Sequence, residues 1–170
     1  ERPMLLWRQA AVYRELAFAA AADPPAAAAV AAAERAQIAT LAKLRNETPT
    51  WCASPNPTPA LAIGCGDEQA YLAARGFQRL GEVTEARKLY LAVLQKWPTS
   101  RLAPVAYAAI GDMFLAAAAA DPAQLTLARQ SLSKATELAP PTDPMYVQVR
   151  HRLAHVAWLE GDLATALREL

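Results

Sequence analysis

Two histidines, His151 and His155, stand four residues apart in the stretch "HRLAHVAWLEGD". On a helix that spacing puts both imidazoles on one face, where they offer two of the positions around a metal ion. A zincin motif would carry its glutamate directly after the first histidine, but Arg152 stands there and no third ligand is near in the sequence. The plain alternative is a pair of half-exposed histidines on a helix face, and a metal-dependent enzyme built on His151 and His155 is the lesser reading.

Cys52 and Cys65 flank a proline-rich stretch, "CASPNPTPALAIGC". In an oxidising compartment they would close a loop of about a dozen residues and stabilise the fold by roughly 2 to 3 kcal/mol. In a reducing one they would be two separate thiols. A structural zinc site needs four ligands in closer pairs.

Other chemistry is poorly supplied. The sequence holds no glycine-rich phosphate loop, no GxSxG, and no close carboxylate pair with a histidine in reach. Glu82 and Glu85 fall in the first turn of a helix, where negative charge offsets the helix dipole. Lys134 and Glu137 have the spacing of a surface ion pair worth a few tenths of a kcal/mol. The expectation is therefore a non-enzymatic protein with no cofactor and no metal.

The elements that would position these residues are helical. Of the 170 residues 54% are apolar, much of that share is alanine, and there are six glycines. Alanine is the strongest helix former and too small to fill a sheet core. Seventeen Lys and Arg against sixteen Asp and Glu leave a formal charge of +1. That lacks the basic excess a nucleic-acid binder uses to release counterions. Apolar runs are cut by Asp23, Pro24, Arg101, Asp112 and Asp121 before they could span a bilayer, so no membrane insertion is expected. Glu1 opens the sequence with neither Met nor a basic-then-apolar leader, which reads as a mature or excised segment.

Punctuation divides the chain. A first helix is expected over about 3–22, from Pro3 to "ADPP", and a second over about 26–46, with Ile38 and Leu41 on one face and Glu34, Arg35 and Lys43 opposite. Together, residues 1–47 make a helical hairpin. A long loop over 48–67 follows, with four prolines and two glycines. From residue 68 the pattern repeats, in segments of about 68–100, 101–143 and 144–170. Superimposing Gly81 on Gly161 brings Ala74 onto Ala154 and Ala86 onto Ala166, a small residue wherever two helices must approach closely. The middle segment carries Gly111 at that position, then Ala128, Leu132 and Ala135, with a longer turn between.

The order Tyr107, Ile110, Gly111, Phe114, Ala128, Leu132, Ala135, Pro140 resembles the tetratricopeptide repeat, a helix-turn-helix unit of about 34 residues. The first segment matches through Phe77, Gly81, Ala86, Tyr90 and Pro98, with Ala74 in place of the usual glycine. The third matches through Leu153, Ala154, Gly161, Ala166 and Leu170, and then stops. The resemblance implies an all-α right-handed superhelix preceded by the hairpin. Leu170 falls where the last helix should still be packing, so the chain is expected to continue, or its open end to be covered by a capping helix, a repeat or a partner.

The junction "KWPTSRLAPVAYAAIGDMF" is similar to those of bacterial cell-envelope repeat proteins. These include the lipoprotein of the outer-membrane assembly machine, the periplasmic coordinator of the Tol-Pal system and envelope repeat proteins of gliding bacteria. That likeness implies a periplasmic or outer-membrane-associated address, where a Cys52–Cys65 bond would form; otherwise the address is cytoplasmic.

In the resembled family the first helix of each unit lines a concave groove. Carried onto this sequence, the groove residues are Glu68, Tyr71, Arg75, Gln78 and Arg79, then Asp112 and Leu115, then Gln148, His151, His155 and Trp158. Aromatic anchors among charges and amides suit a peptide-binding face. The implied function is a scaffold for a protein or peptide partner. A second reading is a spacer or self-assembly module that uses its convex face or its open C-terminal end.

Overall fold

The computed structural model describes residues 2–21, 27–47 and 66–170. Among these the chain is all-α: eight helices and no strand. Cys52 and Cys65 lie outside the described residues, as does most of the proline-rich stretch. No described helix is long and apolar enough to cross a membrane. The chain divides into two compact units, Glu1–Leu89 and Tyr90–Leu170, the division falling inside the fourth helix.

In the first unit α1 (Arg2–Ala21) packs on α2 (Ala27–Glu47), which packs on α3 (Asp67–Arg79). The start of α1 meets the end of α2 through Leu6, Trp7 and Ala10 against Leu41 and Leu44, so the pair is an antiparallel hairpin. Leu72 and Ala73 of α3 pack on the same cluster.

The face of α2 differs from the expected one. Glu34 is buried, and Gln37 and Thr40 are buried with it. A charge there is tolerable because α3 delivers Arg79, whose Nη2 donates to Glu34 Oε2 at 2.8 Å. Close approach makes the pairing possible, since a Cβ on Gly76 would stand 2.9 Å from Ile38 Cγ1 and 3.3 Å from Glu34 Oε2.

After α3, Gly81 closes the helix with φ of 76°. Its N–H donates to Gln78 O and the Glu82 N–H to Phe77 O, the paired bonds of a Schellman motif. Helix α4 (Val83–Lys96) follows, with Tyr90 and Val93 fully buried.

The second unit runs α5 (Ala103–Ala117), α6 (Gln124–Leu138), α7 (Pro144–Leu159) and α8 (Leu163–Glu169). Pro104 sits in the first turn of α5, where its missing N–H would have no intrahelical partner. Gly111 admits Leu132 against the α5 backbone, because a Cβ there would stand 2.7 Å from Leu132 Cγ. The turn over 118–123 is longer than those over 80–82 and 160–162. Asp143 caps α7 by accepting from the Met145 N–H at 2.8 Å. Gly161, at φ of 81°, repeats the closure seen at Gly81: its N–H donates to Trp158 O, and the Asp162 N–H to Ala157 O. One core joins α5, α6 and α7, with Ala108, Leu125, Ala128, Leu132 and Ala135 against Val149, Leu153 and Val156.

Candidate functional site

Within the first unit, Tyr71 and Arg75 lie one turn apart on α3, and the Arg75 guanidinium carbon stands 5.9 Å from the Tyr71 ring centroid. Partial burial pushes the Tyr71 phenol above its ordinary value of 10.0, against the opposing pull of Arg75 and Arg79. Arg79 is engaged with Glu34. Glu68 sits in the first turn of α3 and Gln78 in its last, both half-buried.

Within the second unit, Leu115 packs against the core. Asp112 reaches across to α7, where its Oδ1 accepts from Arg152 Nε at 2.7 Å. Burial pushes the Asp112 carboxyl above its ordinary value of 3.8, and the adjacent Arg152 works the other way. Gln148, His151, His155 and Trp158 are all exposed along α7. The His155 and Trp158 rings stack, with centroids 5.9 Å apart and planes inclined by 23°.

His151, His155 and Trp158 form one wall of an open cleft of about 520 Å³. Leu163 and Leu167 of α8, with Leu170 directly after it, form the other, over a floor of Ala154 and Ala166. Helix α8 is held there by its own cap, Asp162 accepting from the Thr165 N–H at 3.0 Å, and by the ion pair from Arg150 to Glu169 at 3.1 Å. Hydrogen bonding from the Thr165 side chain, and then from its backbone N–H, lowers the Asp162 pKa from 3.8. Among the described residues no group of three or more His, Cys, Asp or Glu is placed to hold a metal, so the two imidazoles face an apolar cleft with no third ligand.

The repeat register gives this cleft a counterpart inside the chain. With Gly111 matched to Ala154 and Ala128 to Ala166, the walls His151, His155 and Trp158 fall on Ala108, Asp112 and Leu115 of α5. Leu163, Leu167 and Leu170 fall on Leu125, Arg129 and Leu132 of α6. These are the positions on which α7 itself is seated: the apolar ones share its core, Asp112 pairs with Arg152, and Arg129 pairs with Glu160. At the last pair the two charged positions are replaced by His155 and Leu167. The α8 leucines are absent from the groove residues expected from the sequence, because at helical spacing they read as ordinary core.

Comparison with known protein families and with curated proteins finds no match.

Proposed function

We propose that this chain is a non-enzymatic scaffold of tetratricopeptide-like helix pairs that holds a helical segment of a protein partner. The observation that carries this reading is the α7–α8 cleft. Trp158 is 59% exposed, Leu163 60%, Leu167 74% and Leu170 76%, an apolar surface that is costly to leave in water. It matches position for position the surface that seats α7 on the preceding pair. A stacked histidine, a large aromatic and three leucines around a pocket suit a helix-in-groove mode of recognition. The right-handed superhelix and a place in a bacterial envelope complex belong to the same proposal and rest on the repeat spacing and the junction sequence.

A fluorescein-labelled peptide of residues 144–159, the helix that fills the equivalent seat, tests the reading by anisotropy. Saturable binding is expected, weakened at least tenfold by Trp158→Ala and abolished by Leu167→Asp, while Arg75→Ala leaves it unchanged. Equal weakening by Arg75→Ala would favour a groove lined by α3 instead. Binding indifferent to Trp158 and Leu167 would remove the cleft from the account.

A further inference from the structure

Among the side chains that line the α7–α8 cleft, His151 and His155 are the two that ionise, and the rest are alanine, leucine and tryptophan. Both imidazoles are exposed, one turn apart on α7, and His155 is stacked on Trp158. Leu163 and Leu167 stand across from them.

The carboxylates of the elements packed on α7 are engaged elsewhere. From α5, Asp112 accepts from Arg152. From α6, Arg129 pairs with Glu160 and Lys134 with Glu137. On the α8 side Arg150 pairs with Glu169, Asp162 accepts from the Thr165 N–H, and Arg168 donates to Thr165 Oγ1. Asp143 caps the start of α7 itself. The cleft therefore has no carboxylate in its lining to meet an imidazolium.

Histidine is the side chain that changes charge between about pH 5 and 8. In the open cleft an imidazolium keeps its water. An apolar helix face that fills the cleft removes that water and brings no counter-charge, so occupancy disfavours the charged form. The Trp158 ring attracts an imidazolium in the open and the filled cleft alike, and so does not decide the difference. By linkage, each proton that the histidines take up weakens the hold on an apolar face to the same degree. Affinity is then full on the alkaline side of the histidine range and is lost as pH falls through it.

We propose that His151 and His155 gate the cleft by protonation, so that it holds an apolar helix face near neutral pH and releases it in mild acid. The proposal rests on the cleft being a helix-binding site.

The test uses the peptide of residues 144–159 with both of its own histidines replaced by Gln and a rhodamine label, whose charge is constant between about pH 5.5 and 8. On the whole native chain, anisotropy is expected to give a dissociation constant at least about tenfold higher at the acid end than at the alkaline end. In the double variant His151→Gln with His155→Gln the two constants should agree within about twofold. His155→Arg, charged throughout, should bind more weakly than the native chain at the alkaline end. Equal native constants, the same fall in the double variant, or undiminished binding by His155→Arg would each overturn the gate and leave the cleft as a helix-binding site. A peptide that fails to bind even at the alkaline end would remove the helix-binding reading, and the gate with it.

Discussion

Glu34 and Arg79 join α2 to α3 through a carboxylate that is almost wholly buried and a guanidinium that is a third exposed. Removing one member of such a pair leaves the other charge stranded, at a cost of about 3 kcal/mol. Arg79→Ala is expected to lower the urea midpoint accordingly with an unchanged slope, and the double variant Glu34→Met with Arg79→Met to recover most of the loss. Asp112 behaves differently, because burial outweighs Arg152 and raises its pKa. A raised carboxyl pKa means that the folded chain favours the protonated form. Its contribution is full below the ordinary value of 3.8 and fades as pH rises through the higher folded value. Asp112→Asn should therefore match or exceed the native melting temperature at pH 7, and lack the native chain's relative gain on acidification. Neither pairing is legible in the sequence. Spacing puts Glu34 with Arg35 and Lys43 on a polar side, and only the arrival of α3 makes its burial tolerable.

The helix ends were more readable, since their cues are local. Gly81 and Gly161 announce their turns through a backbone conformation that other residues adopt at a cost, and the Gly-Glu and Gly-Asp pairs place the next helix directly after. Asp143 before Pro144 is a cue of the same local kind, its side chain accepting from the Met145 N–H. Asp143→Ala should cost about 1 kcal/mol in thermal unfolding, and Asp143→Asn much less, since the amide oxygen also caps. Close approach is legible at Gly111 from the repeat register. There Gly111→Ala would gain helix propensity of about 1 kcal/mol and lose more by overpacking Leu132, so a net fall in melting temperature is expected. Gly76 is the counterpart the register misses. A glycine inside a helix costs about 1 kcal/mol relative to alanine, and that unexplained cost was the available signal. The cleft was half legible: His151, His155 and Trp158 share a helical face, whereas the α8 leucines look no different from core leucines until the fold leaves them bare.

For the whole molecule, a formal charge of +1 spread over 17 basic and 16 acidic residues supplies little counterion release. The protein is expected to pass through a heparin column at physiological salt, and retention there would reopen a nucleic-acid role. All-α character was legible from composition, because alanine-rich, glycine-poor chains have few other ways to bury surface. Within each unit the helices pack in chain order.

That order has a kinetic consequence. Within each unit the helices pack chiefly on their chain neighbours, α1 on α2, α2 on α3, α5 on α6, α6 on α7 and α7 on α8. Except between α2 and α3, which residues 48–66 separate in the sequence, the connections are short and close at small entropic cost, so contacts of this kind form early and folding falls toward the microsecond-to-millisecond range. Each pair is then its own starting point, and a defect such as Gly111→Ala should slow refolding only if the α5–α6 pair is where the second unit begins.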